Sequence, residues 1–199
     1  MAQPINFEDL AKLEVLPYNN LRNSLQTGDL LFCSGNYPIS KAIEKVTGSV
    51  WSHVGIVYKV ESLKRILLLE SVEDVGVRFA PLSKYLEDYK GDRKPYDGQM
   101  VIARFSGGLS QEQVNEIISF GMDELTRPYD RDEALKILSR VVLGIGKEAH
   151  DREYLCSELV FECFQKAGIH LNYDPLGFIS PQDIWLDPHV ELVTKIQVK

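Results

Sequence analysis

Tyr154-Leu155-Cys156-Ser157-Glu158-Leu159-Val160 is the stretch on which the rest of the chain turns. Leu159, Val160, Cys163, Phe164 and Ala167 recur at helical spacing, and Gly168 is placed to end the helix. Cys156 then falls in the first turn. A helix start offers unpaired N–H groups and the positive end of the helix dipole, and both favour a thiolate, the nucleophilic form of cysteine. A lone cysteine in such a helix is ordinarily a small buried hydrophobe. Two residues upstream change that reading.

Trp51-Ser52-His53-Val54-Gly55-Ile56-Val57 opens a β-branched strand on His53, and Leu67-Leu68-Leu69-Glu70-Ser71 closes the next strand on Glu70. Taken singly, His53 is a strand-end histidine bonded to backbone and Glu70 a strand-end glutamate turned to solvent. A turn over Glu61 to Lys64 that pairs Val60 with Arg65 places Glu70 opposite Gly55 and His53 opposite Val72. His53 and Glu70 become diagonal neighbours on one face, roughly 7–8 Å apart at the backbone. A slip of one residue would put them on opposite faces. The result is a Cys-His-carboxylate set. The imidazole takes the thiol proton and later protonates the leaving group, while the carboxylate holds the ring's tautomer and orientation. The order His53, Glu70, Cys156 is no objection, since such triads are recognised by role.

Composition bounds the rest. The chain has 199 residues, 44% apolar and 26% charged, which suits one soluble domain with a real core. A net charge of −7 argues against nucleic-acid partners or an anionic membrane surface. No segment approaches the ~20 apolar residues of a membrane span, and no secretory signal stands at the start. Cys33, Cys156 and Cys163 suggest neither a disulfide scaffold nor a zinc site. A reducing cytoplasm is the simplest setting, although a secreted chain trimmed of its signal would look the same. His150, His170 and His189 show no metal-ligand spacing, and Gly144 and Gly146 are not followed by the GKS/T of a phosphate loop, so no metal and no cofactor is expected.

In chain order, Asn6 caps a helix over Phe7 to Glu14, within an N-terminal helical extension of residues 1–26. Strands follow at Leu30–Cys33, His53–Val60, Arg65–Ser71, Val75–Ala80 and Met100–Phe105, with helical pieces at Ile39–Val46 and Ser83–Tyr89. Ser110 and Gln113 form a capping box for a helix to about Leu125. Pro128-Tyr129-Asp130 breaks the pattern before a helix over Glu133 to Leu143. After the Cys156 helix come a turn of helix at Pro181 to Trp185 and a last strand at Val190 to Val198. Strands first and helices later predict α+β.

These segments resemble the circularly permuted papain-like cysteine hydrolases, the YiiX-like branch of the NlpC-type superfamily. The likeness rests on Thr27-Gly28-Asp29-Leu30-Leu31-Phe32, Ser52-His53-Val54-Gly55-Ile56-Val57, Pro128-Tyr129-Asp130, the Cys156 stretch and Ser180-Pro181-Gln182-Asp183. It spans roughly residues 27–185. It implies one α+β domain over residues 1–199, with a small antiparallel sheet or barrel packed on helices. It implies Cys156 as nucleophile, His53 as base and Glu70 as the third residue, with Glu73 close by as an alternative. Tyr129, by the position of the family's PY element, would help hold the oxyanion beside the Cys156 N–H; a packed aromatic at a helix boundary is its plain alternative. Tyr154 and Trp51 are further candidates for the wall of the site.

The expected reaction is hydrolysis of an amide in a small peptide or amino-acid conjugate, such as a cell-wall peptide, through a thioester. Two rivals stand beside it: lipid-directed acyl transfer of the lecithin retinol acyltransferase type, and a non-catalytic binding module.

Overall fold

Leu30, Leu31, Phe32 and Cys33 are all fully buried, and this explains why their strand is a continuous apolar run rather than an alternating one: it lies in the middle of a sheet covered on both faces. The structure, a computed structural model, describes residues 5–129, 155–171 and 179–197. The expected helix over Glu133 to Leu143, together with Gly144, Gly146, His150 and Tyr154, lies outside the described residues.

The strands are β1 (Val15–Leu16), β2 (Leu30–Gly35), β3 (His53–Val60), β4 (Arg65–Val72), β5 (Gly76–Pro81), β6 (Gly98–Phe105) and β7 (Val190–Ile196). They form one seven-stranded sheet in the order β1-β7-β6-β2-β3-β4-β5. All neighbours are antiparallel except β1 and β7, which are parallel. Six of these strands are those expected from the sequence, and the N-terminal segment adds the two-residue β1 to its helices.

The helices are α1 (Phe7–Lys12), α2 (Tyr18–Leu21), α3 (Pro38–Thr47), α4 (Leu82–Glu87), α5 (Gln111–Asp123), α6 (Cys156–Lys166) and α7 (Pro181–Leu186). α1 starts on its Asn6 cap, where the Asp9 N–H donates to Asn6 Oδ1 at 2.9 Å. The Ser110–Gln113 capping box closes in both directions, at 3.2 and 3.0 Å. α6 ends short of Gly168, whose φ of +74° takes the left-handed backbone that glycine allows.

Alternation along the strands divides the core in two. Phe32, Val54, Ile56 and Leu69 pack with Leu159, Val160 and Phe164 of α6 and with Ile117 of α5. Leu31, Cys33, Val57, Ile66 and Leu68 pack under Leu21 of α2 and Leu82 and Tyr85 of α4. Each fully buried aliphatic side chain contributes about 1.5–3 kcal/mol. α6 lies against β3 and β4, which brings its first turn to the end of the sheet where β3 begins.

Candidate active site

The hairpin between β3 and β4 sets the site. Val60 pairs with Arg65, and the register runs back to Ile56 opposite Leu69, with the connection wound into a single 3-10 turn over Glu61–Leu63. That is the register expected from the sequence, and its consequence holds at the side chains: His53 Nε2 lies 2.8 Å from Glu70 Oε2. Glu70 follows Ile66 and Leu68 on the face that α4 covers, so its carboxylate is fully buried. Burying an ionised carboxylate is costly unless it is paired. Three side chains pair it. Directly opposite on β5, Arg78 donates from Nε to Oε1 at 2.9 Å, with Nη2 also at 2.9 Å. From α4, the Tyr85 hydroxyl donates to Oε2.

Cys156 opens α6, and its side chain interacts with the His53 ring across the wall of one cleft. With Nε2 on Glu70, Nδ1 is the ring atom left for the sulfur. The α6 terminus is fixed from both sides. Glu158 Oε2 accepts the Leu155 N–H at 3.0 Å, while a leucine side chain offers nothing in return. Ser157 Oγ donates to the Ile179 carbonyl at 2.7 Å. Ser180 caps α7, and two residues on, Gln182 Oε1 accepts Ser49 Oγ at 2.7 Å; Ser49 Oγ also accepts the Trp51 N–H at 2.9 Å. The Ser180-Pro181-Gln182-Asp183 element thereby ties the cysteine helix to the approach of the histidine strand.

These contacts set the charges. Burial pulls the His53 imidazole down, but the hydrogen bond and charge of Cys156, then those of Glu70, outweigh it and raise it from 6.5 to about 10. Burial works to raise Glu70, yet His53, Arg78 and Tyr85 together hold it below the usual carboxylate range. Burial and the Glu70 charge push the Tyr85 phenol well up, so it keeps the proton it donates.

Cys156 and His53 line a cleft of about 570 Å³. Tyr129 lines it too, as do Glu73 and Asp74 from the β4–β5 turn, and Tyr37, Tyr89 and Tyr96 from the α4 side. The His53 partner is Glu70; Glu73 is exposed at the turn. Trp51 corrects an expectation: it is fully buried, with its ring centroid 5.4 Å from that of Phe32 and 4.8 Å from that of Trp185, and the structure does not bring it to the cleft wall. Its large apolar ring belongs to the core cluster that includes Cys156. The sequence reading missed Arg78 and Tyr85. Arg78 was readable as the cross-strand partner of Glu70 once the β4–β5 register was drawn; Tyr85 arrives by packing of α4 and left no local signal. Among the described residues no group of three or more His, Cys, Asp or Glu side chains is placed to hold a metal ion.

Three comparisons bear on this site. Residues 24–194 match the family described as permuted papain-like amidase enzyme, YaeF/YiiX, C92 family. The uncharacterized protein YiiX of Escherichia coli (strain K12) is 30% identical over 142 residues, 71% of this chain and 58% of its own length. The protein OPG091 of Monkeypox virus is 31% identical over 153 residues, 77% of this chain and 73% of its own. Among solved structures, that of metalloprotein yiiX from Escherichia coli O157:H7 superposes with a TM-score of 0.63 at 25% identity, covering 85% of this chain and 97% of the other. A sheet that presents a histidine ahead of a cysteine helix is the permuted arrangement, and on the match over residues 24–194 the chain belongs to the YaeF/YiiX family of permuted papain-like amidases.

Proposed function

We propose that the chain is a cysteine hydrolase that cleaves an amide bond in a peptide or amino-acid conjugate. The observation that carries this is the connected set Cys156, His53 and Glu70, with the sulfur and the imidazole on one cleft wall. The family's description as amidase supports the hydrolase class. The polar and charged lining, with Ser40, Ser52, Glu73, Asp74, Lys84 and Lys90, favours a peptide over a lipid acyl chain.

In this reading the Cys156 thiolate attacks the carbonyl carbon and the oxygen takes the negative charge. The Cys156 N–H, at a helix position with no intrahelical acceptor, and the Tyr129 hydroxyl hold that oxyanion. His53 gives its proton to the nitrogen as the C–N bond breaks, and the amine departs. A water molecule then attacks the thioester, His53 takes its proton, and the carboxylic acid leaves as the C–S bond breaks and the thiolate is restored beside the imidazolium. Glu70 stays ionised and holds the ring.

The test is alkylation of the folded protein with iodoacetamide near pH 7, followed by peptide mapping. Rapid stoichiometric labelling of Cys156, slowed by roughly a hundredfold in His53→Ala, supports the hydrolase. A Cys156 that reacts no faster than a free thiol in the folded wild type points to a binding module. Profiling of the hydrolase against short peptides and acyl lipids then assigns the substrate class.

A further inference from the structure

We infer that Tyr85 is a positioning residue of this reaction: its hydroxyl fixes Glu70 and, through Glu70, the His53 tautomer. The inference rests on the hydrolase reading above. Tyr85 is 1% exposed and comes from α4, an element remote in sequence from both His53 and Cys156. A carboxylate can only accept, so all of Glu70's contacts are donors: Arg78 on Oε1, and both Tyr85 Oη and His53 Nε2 on Oε2. Because Nε2 must carry a hydrogen to serve Glu70, Nδ1 is left to exchange the proton with sulfur. The arrangement therefore selects one tautomer.

Tyr85 has one proton, and it is given to Glu70. The ring of Tyr89 packs beside that of Tyr85, with ring centroids 4.7 Å apart. Tyr89 lines the cleft. Rings of Tyr96 and Tyr89 hold Tyr85 from the sides, with centroids 5.5 and 4.7 Å away. Such packing allows removal of the hydroxyl alone without a change of shape. A tyrosine that only filled the core would present its ring to this cluster and have no reason to aim its hydroxyl at the oxygen shared with His53.

The experiment is a double-mutant cycle on the rate of Cys156 alkylation by iodoacetamide at pH 7, using Tyr85→Phe and Glu70→Gln in the full chain. Tyr85→Phe alone is expected to slow the reaction roughly tenfold, the loss of one hydrogen bond to a charged group. In the Glu70→Gln background the same change is expected to cost less than about twofold, because the tyrosine acts through the carboxylate. In Cys156→Ala, above the pH at which the ring loses its extra proton, nitrogen-detected NMR is expected to show the remaining hydrogen on His53 Nε2, and the added Tyr85→Phe to mix the tautomers.

A wild-type rate in Tyr85→Phe, or an equal loss in both backgrounds, overturns the inference. If Tyr85→Phe does not fold, the tautomer of neutral His53 in Cys156→Ala decides. A hydrogen on Nε2 supports the link through Glu70, and a hydrogen on Nδ1 overturns it. If His53→Ala and Glu70→Gln slow the wild-type reaction while Tyr85→Phe does not, this inference alone fails. If the wild type shows no enhanced alkylation at Cys156, the hydrolase reading fails with it.

Discussion

Glu70 and Arg78 stand directly opposite each other across the β4–β5 ladder, and two guanidinium nitrogens each lie 2.9 Å from the same carboxylate oxygen. The acid is fully buried while Arg78 is 31% exposed, so the pair joins the interior to the cleft. Removing the arginine leaves a buried carboxylate short of a charged donor. Arg78→Ala is expected to cost about 1–3 kcal/mol, read as a lower urea midpoint. Arg78→Lys should restore only part of that, because an ammonium cannot place two nitrogens against one oxygen in the guanidinium's fixed geometry.

Glu70 and Glu73 are three residues apart, and both were open candidates in the sequence. The contact with His53 separates them. Glu70→Gln keeps the volume but loses the charge that supports the imidazolium, and turnover should fall by about two to four orders of magnitude. Glu73→Gln, at the exposed turn, is expected to leave turnover within roughly threefold of the wild type. The two turnover numbers, measured on one substrate, decide the matter, and a loss in Glu73→Gln as large as that in Glu70→Gln would reverse the assignment.

His53 makes the pH dependence specific. Its folded value is raised from 6.5 to about 10, so the ring keeps its proton through the neutral range and loses it as pH rises through about 10. The imidazolium supplies the proton to the leaving amine, hence acylation should hold across neutral pH and fall on an alkaline limb near pH 10. Cys156 is the largest cause of that rise, ahead of Glu70. In Cys156→Ala the His53 titration, followed by NMR, should move to lower pH. A midpoint near 6.5 in the wild type would show that the ring is not held as an imidazolium.

How much of this was legible in the sequence follows from how local each cause is. The β3–β4 register could be drawn because the span from Val60 to Arg65 admits one short turn and the apolar residues fix the faces. The Ser110 and Asn6 caps were legible because a cap and its partner lie three residues apart. β1 was not legible: two residues, Val15 and Leu16, carry no period, and they are a strand only because β7 lies beside them. Trp51 misled for a related reason. Its nearness to His53 in sequence says nothing about which way the ring turns, and the rings of Phe32 and Trp185 claim it for the core. Tyr85 reaches Glu70 only through the docking of α4 on the sheet, a long-range packing outcome.

Gly76 begins β5 with φ at +79°, and a Cβ there would come within 2.0 Å of the Arg127 carbonyl oxygen. The oxygen it would meet belongs to the backbone and is itself engaged, accepting the Val77 N–H at 2.9 Å. Gly76→Ala therefore meets left-handed strain, about 1–2 kcal/mol, with a steric clash added. Because Arg127 immediately precedes the Pro128-Tyr129 pair, the displacement should reach the cleft. Denaturation should show the lost stability, and turnover should fall with it.

The three cysteines should differ sharply under alkylation. Cys33 and Cys163 are fully buried, in β2 and on the inner face of α6, while Cys156 lines the cleft. Burial, with the neighbouring charge of Glu70, raises the Cys33 thiol well above its usual range, and burial likewise raises Cys163. Both effects lower the thiolate fraction and block approach, so iodoacetamide should mark Cys156 alone until the protein unfolds. Mass spectrometry of tryptic peptides, taken across a urea series, should show Cys33 and Cys163 reacting together at the unfolding midpoint. Labelling of Cys33 in the native protein would mean that the end of the β2–β3 ladder, where Cys33 pairs with His53, opens on its own, and that the imidazole has no rigid support.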